Sequence, residues 1–158
     1  HNVARDDIEK SLQRVQRWDT NTDGESPQVI RDEMNEVMQA DFGVFREGEA
    51  MADGLKKLES LKERLQHAVL KDHSKVFNTA KVEALELDNL MATAYVTAVL
   101  ANHRTESRGA HSRFDCPDRI DEQWLKHTLC NLEGEVTYRA VNLQPAEVEP
   151  FKPKLREH

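Results

Sequence analysis

Aromatic side chains are scarce in this sequence, 6% of its 158 residues, and there are two cysteines, Cys116 and Cys130. So few rings exclude a core of stacked aromatics. The interior has to be built from Leu, Val, Met and Ala, which pack readily along helices. The two cysteines make no C-x-x-C pair, which excludes a zinc knuckle or dithiol couple and predicts two free thiols in a reducing compartment. Long apolar runs are missing too. The longest, from Leu90 to Ala101, is broken by Thr93 and Thr97 and falls short of the ~20 residues a bilayer demands. Positive charge is in deficit: 22 basic against 29 acidic residues leave a net charge of -7. The clustered cations that a phosphate backbone requires are absent, so nucleic acid is excluded as a general partner. The chain opens on His1 without a basic segment or an apolar signal core, and a piece of something longer is expected.

What is present is charge, 32% of residues, laid around apolar stripes at helical spacing. Ile8, Leu12, Val15 and Trp18 recur every three or four residues and predict an amphipathic helix over 4–18. After the polar loop from Asp19 to Glu25, Ser26 and Pro27 supply an N-cap and a first-turn proline. The helix they open carries Ile30, Met34, Val37 and Met38. It is expected to end near Arg46, after a break at Phe42-Gly43-Val44-Phe45. Met51, Leu55, Leu58, Leu61, Leu65 and Val69 form the clearest stripe, over 47–70. Asn78 or Thr79 can cap a further helix reaching about His103, with Val82, Leu85, Leu90, Met91, Ala94, Val99 and Leu100 as its apolar positions. Alternation from Val136 to Val141 predicts one strand or hairpin arm, and the tail from Pro145 is expected to be extended. The expected fold is all-α. An antiparallel three-helix bundle of the spectrin-repeat kind occupies 27–109, preceded by an N-terminal helix and loop over 1–26. A small irregular C-terminal segment over 110–158 carries a short strand or hairpin, and the whole forms one structural domain.

Several short patterns suggest chemistry and fail on their own geometry. Asp19-Thr20-Asn21-Thr22-Asp23-Gly24 has the alternating oxygens of half a calcium loop, but Ile30 stands where a bidentate glutamate belongs and Pro27 starts a helix inside it. Ser107, His111 and Asp115, four apart, would line one helix face as a nucleophilic triad. Gly109 between them predicts a left-handed helix cap that destroys this spacing. His67, His73 and His103 make no H-x-x-x-H pair. His127 beside Trp124 is expected to pack rather than to hydrogen-bond within the C-terminal segment. No catalytic, cofactor-binding or metal-binding residue is assigned.

The densest polar stretch is RTESRGAHSR, Arg104 to Arg113. Residue types leave two readings open. In one, Arg104 and Arg108, a turn apart, offset the negative end of a helix, with Glu106 free to pair with Arg113 or a partner. In the other, Glu106, Ser107, Arg108, Gly109, His111 and Arg113 form a polar surface that docks onto another protein surface.

This stretch is flanked by ELDNLMATAYVTAVLANH and FDCPDRIDEQWLKHTL, with PQVIRDEMNEVMQADFGVFREGEAMADGL earlier and PFKPKL at the close. Together they resemble the C-terminal helical domain of the succinate dehydrogenase and fumarate reductase flavoprotein subunit. ELDNLMATAY and WLKHTL favour the succinate dehydrogenase branch, while L-aspartate oxidase and adenylylsulfate reductase share the domain. The resemblance implies an oxidoreductase subunit of respiratory complex II and the tricarboxylic acid cycle, with covalent FAD held upstream of this chain. Electrons from succinate would pass through an iron-sulfur subunit and membrane anchor subunits to quinone, at the cytoplasmic face of a bacterial inner membrane. For this segment alone it implies no cofactor and no turnover. Its role would be to pack on the flavin-binding domain through the six residues just named, and to offer surface to a flavinylation or assembly factor. An independent helical adaptor, binding through Phe42, Val44 and Phe45, is the competing reading.

Overall fold

Side-chain caps start two of the long helices where the sequence places them. Ser26 Oγ accepts the Gln28 N–H ahead of Pro27, and Asn78 Oδ1 accepts the Lys81 N–H at 2.8 Å. The computed structural model describes residues 4–151, 153 and 154; Lys152 and Leu155 of the PFKPKL stretch lie outside them. Within those residues the helices are α1 (Arg5–Thr20), α2 (Pro27–Asp41), α3 (Gly48–Gln66), α4 (Thr79–His103) and the short α5 (Asp121–Trp124). Two small sheets complete the fold. β1 (Phe45–Arg46) pairs in parallel with β2 (Ser112–Arg113), and β3 (Lys126–Cys130) pairs antiparallel with β4 (Val136–Ala140). The chain is mostly helical, as expected, and none of the described helices is long and apolar enough to cross a membrane.

The leucine stripe of α3 does what its spacing predicts. Met51, Leu58, Leu61 and Leu65 are buried against Ile30 and Met34 of α2 and Leu87 and Met91 of α4, each such side chain contributing about 1.5–3 kcal/mol of transfer free energy. α4 buries a different face from the one expected. Ala84, Leu87, Met91, Ala94, Tyr95, Ala98 and Ala101 face inward, while Val82 and Leu90 are exposed. Four alanines on that face, set among Leu87, Met91 and Tyr95, let neighbouring elements approach closely, while Met91 and Ala94 are the expected positions that do turn inward.

Two further expectations are corrected. α2 stops at Asp41 instead of running to about Arg46, because Phe42 turns into the core and Phe45–Arg46 leave the helix to pair with β2. In α1 only Trp18 is buried; Ile8, Leu12 and Val15 stay exposed. Polar contacts at its C-terminal end hold it instead. Arg17 bonds to the Asp88 carboxylate and, at 2.8 Å, to the Leu65 carbonyl at the end of α3, and Lys81 reaches Asp19 at 2.6 Å. The supposed half calcium loop is spent on structure, with Asn21 donating to the carbonyls of Gln66 and Ala68. The strand at 136–140 is found together with a partner, β3, inside the WLKHTL stretch that the sequence reading left without strand structure.

Gly54 of α3 is pressed against the C-terminal end of α2: a Cβ there would lie 2.7 Å from both Asp41 Cβ and the Phe42 ring. Overpacking of this kind costs about 1–3 kcal/mol, and the helix propensity of alanine returns about 0.5–1. Gly54→Ala is expected to lower stability by about 1–2 kcal/mol, read as a reduced urea midpoint at constant slope. An unchanged midpoint would mean that the two helices are not pressed together here.

Candidate functional site

After His103 the chain leaves α4 in an extended conformation at Arg104, and the RTESRGAHSR stretch is not helical. Arg104 and Arg108 therefore do not sit one helical turn apart. Gly109, with φ of 59°, does not cap the helix. It occupies the first central position of a two-residue turn closed by paired backbone bonds between Arg108 and His111, at 2.8 and 3.0 Å. Positive φ at that position is the requirement of a tight hairpin turn, which glycine meets without strain.

Glu106 lies at the centre and is 0% exposed. Its carboxylate takes four donors: Arg104, both Nε (2.7 Å) and Nη2 (3.0 Å) of Arg108, and the Ile120 N–H at 2.8 Å. Burial drives its pKa upward, but the bonds from Arg108, Ile120 and Arg104 outweigh this and hold it below the ordinary glutamate value. Glu106 thus pairs with Arg104 and Arg108 and not with Arg113. Arg108 continues to Asp121 at 2.7 Å, which also receives Arg119.

Arg113, 5% exposed, closes a second pair with Asp115. Its Nη1 donates to the carbonyls of Asn102 and Arg104 at the end of α4, at 3.1 and 3.0 Å. Asp115 accepts the Gly48 N–H at the start of α3, 3.2 Å away. The Arg113 guanidinium pulls the Asp115 carboxyl down to about 2. Cation and anion each sit at the helix end of opposite partial charge. Ser107 organises the loop between them: its Oγ accepts the Arg113 N–H and donates to the Cys116 carbonyl, both at 2.8 Å.

His111 is fixed as one tautomer. Arg46 can only donate, so the 2.7 Å contact from its Nη1 makes Nδ1 the acceptor, and Nε2–H donates to the Arg104 carbonyl at 3.1 Å. Burial, with the nearby cations of Arg46, Arg113 and Arg104, pushes the ring's pKa below 6.5. Ser107, His111 and Asp115 therefore make no triad, since each is bonded elsewhere. His127 is exposed, and the ring on Trp124 is that of His103, edge-on at 5.7 Å and bonded to the Tyr138 hydroxyl at 2.5 Å.

The sequence reading collected the six motif residues but missed Arg46, Asp121, Ile120 and the structural use of Asp115. A signal for two of these, Asp115 and Asp121, was available. Arg104-x-Glu106, Arg113-x-Asp115 and Arg119-x-Asp121 are opposite charges two apart, a spacing that faces one side of an extended chain and not of a helix.

On the outer side of the same ribbon, Phe45 and Phe114 stack at 5.4 Å with their planes 20° apart, while 68% and 71% exposed; Val44 beside them is exposed as well. Phe42, expected to join this patch, is buried under α3.

Residues 31–158 match the family described as fumarate reductase flavoprotein C-term. The chain belongs to this family. It is 51% identical over 96% of its length to the succinate dehydrogenase flavoprotein subunit of Coxiella burnetii, and 42% identical over 81% to the fumarate reductase flavoprotein subunit of Proteus vulgaris. It spans about a quarter of the length of these relatives, 26% and 22%. Among solved structures, a mutant E. coli quinol fumarate reductase superposes with a TM-score of 0.81 at 33% identity, covering 96% of this chain and 27% of that one. Adenylylsulfate reductase from Archaeoglobus fulgidus, at 19% identity and TM-score 0.69 over 96% of this chain and 27% of that one, shares the fold.

Two outcomes follow from the cluster. Glu106→Gln leaves two arginines facing a neutral group in a buried site, and is expected to cost about 3–5 kcal/mol in chemical unfolding. The depressed His111 pKa means that below about 6.5 the unfolded chain binds a proton the folded chain refuses, so stability falls as pH falls toward the folded value. The stability advantage of the unsubstituted chain over His111→Gln should therefore shrink between about pH 7.5 and about pH 5.5. A constant gap would show that His111 does not titrate differently on folding.

Proposed function

We propose that this chain is the C-terminal helical part of a succinate dehydrogenase flavoprotein subunit, and that its task is to pack on the flavin-binding part and hold it in place. The whole subunit would oxidise succinate to fumarate with covalent FAD and pass electrons to an iron-sulfur subunit. Quinone would be reached through membrane anchor subunits, with the flavoprotein peripheral on the cytoplasmic face of a bacterial inner membrane. A flavinylation or assembly factor would meet the same region. The higher identity to the succinate dehydrogenase relative than to the fumarate reductase one supports that branch.

Within the chain, α2, α3 and α4 would act as an antiparallel three-helix bundle, with α1 and the C-terminal hairpin added to form one structural domain. The cluster does not suit a flavin cradle, because Arg104, Arg108 and Arg113 are already matched by Glu106, Asp121 and Asp115. Catalysis is accordingly assigned to the three-quarters of the subunit outside this chain.

The observation that carries the docking role is the stacked, exposed Phe45–Phe114 pair on the ribbon that bears the motif. Two large rings held in register and left in water form a preorganised apolar contact. Beside it Gly109 and Ala110 expose the turn, His111 and Arg108 give the polar rim, and Glu106, Ser107 and Arg113 fix its shape from within. In the full-length subunit, Phe45→Ser with Phe114→Ser should weaken the contact by about 3 kcal/mol, near one buried ring's transfer energy per pair. Lower melting temperature, reduced flavin content and a matching loss of succinate-to-dye turnover at unchanged KM are expected. Unchanged stability and flavin content would refute the docking role.

A further inference from the structure

Arg104, Arg108, Arg113 and Arg119 each meet a carboxylate within this chain. Arg46 does not. Its Nε donates to the carbonyls of Phe42 and Gly43, its Nη1 goes to the neutral His111 ring, and Nη2 has no partner among the described residues. It is partly buried, so the cation has lost solvent without gaining a counter-ion. Arg46 borders a shallow, open cavity of about 380 Å³ whose other polar walls are Thr97, Arg104, His111, Lys126, His127 and Thr128, with no Asp or Glu among the described lining residues. Among the described residues Lys126 likewise has no acid partner, and it rests on the rings of Tyr138 (3.8 Å) and Trp124 (5.5 Å). In a chain of net charge -7, a concave site with two uncompensated cations and no acid is a local inversion of sign.

We propose that this cavity receives one Asp or Glu side chain from the part of the subunit outside this chain, held by Arg46 and flanked by Lys126. The inference rests on the docking reading and names a polar anchor beside that contact. Arg46 follows Phe45 in β1 and therefore faces the other side of the ribbon, toward His111, so the carboxylate reaches the guanidinium past the ribbon from the face opposite the aromatic pair. About three-quarters of the relatives' length lies outside this chain and can supply it. A guanidinium edge takes a carboxylate in charge-assisted bonds, and a cation already partly desolvated gains most from such a partner.

Zero-length carbodiimide coupling in the full-length subunit tests this, with coupled peptides read by mass spectrometry. Lys126 in the unsubstituted protein, and position 46 after Arg46→Lys, should both couple to acids of one segment outside residues 1–158. Replacing that acid by Arg should lower the melting temperature, and combining it with Arg46→Glu should recover most of the loss. Coupling only to acids within residues 1–158, or none, overturns the proposal. So does a melting temperature that rises with sulfate in the unsubstituted subunit but not in Arg46→Gln, without coupling, which marks a site for free anions. A photo-crosslinker at position 114 separates the two readings. Contact from position 114 with no coupling at 46 or 126 removes the carboxylate and leaves the docking role, whereas silence at all three positions removes both.

Discussion

Two helix ends of opposite polarity meet at one ion pair, and the rest of the polar cluster is arranged around that meeting. Arg113 binds the last carbonyls of α4 while Asp115 binds the first amide of α3. Each charge is therefore stabilised twice, by its partner and by a helix terminus. The two longest elements in the core are locked end to end through side chains two residues apart, and β2, which carries Arg113, is thereby held against β1. Nothing in the apolar core could impose that alignment, because hydrophobic contact is non-directional.

Glu106 supplies a second constraint of a different kind. A carboxylate with no exposure is expensive to desolvate, and an apolar replacement of equal shape is often no less stable. What four converging donors give is a unique geometry: Arg104 is drawn toward the start of the hairpin, Arg108 toward Asp121, and the chain at Ile120 is brought back over the loop. A turn and an aromatic pair presented on such a support keep their shape when unpartnered, which lowers the entropy that a docking surface would otherwise lose on contact.

The parts of the fold that were legible in the sequence are those governed by one-dimensional periodicity. The leucines of α3 repeat at threes and fours with charge between, and both capped helix starts carry their own markers. α4 defeated that approach because it is apolar on most sides; which face turns inward depends on alanines whose value is the room they leave. α1 failed for the reverse reason, its stripe being real but only Trp18 finding a neighbour in this chain. Gly109 was misread because a glycine after a helix fits a cap and a hairpin turn equally well, and the difference lies in whether residues 108 and 111 pair. The six motif residues were gathered correctly by composition. Their wiring was not, since it depends on Arg46 and Gly48, more than sixty residues away, and on the recognition that the stretch is extended.

The same wiring imposes an order on folding. Bringing the Ile120 amide to Glu106 closes a loop of 14 residues, whereas bringing Gly48 to Asp115 closes one of 67. With closure entropy growing as the logarithm of length, the longer step costs roughly 1.4 kcal/mol more. The short loop around Glu106 is the cheaper nucleus, and the parallel strand pair must wait until α3 and α4 have already shortened the intervening path. On the proposed docking role, that face would be completed late, after the core that carries it, and a nascent chain would expose a finished contact surface only once its interior is closed.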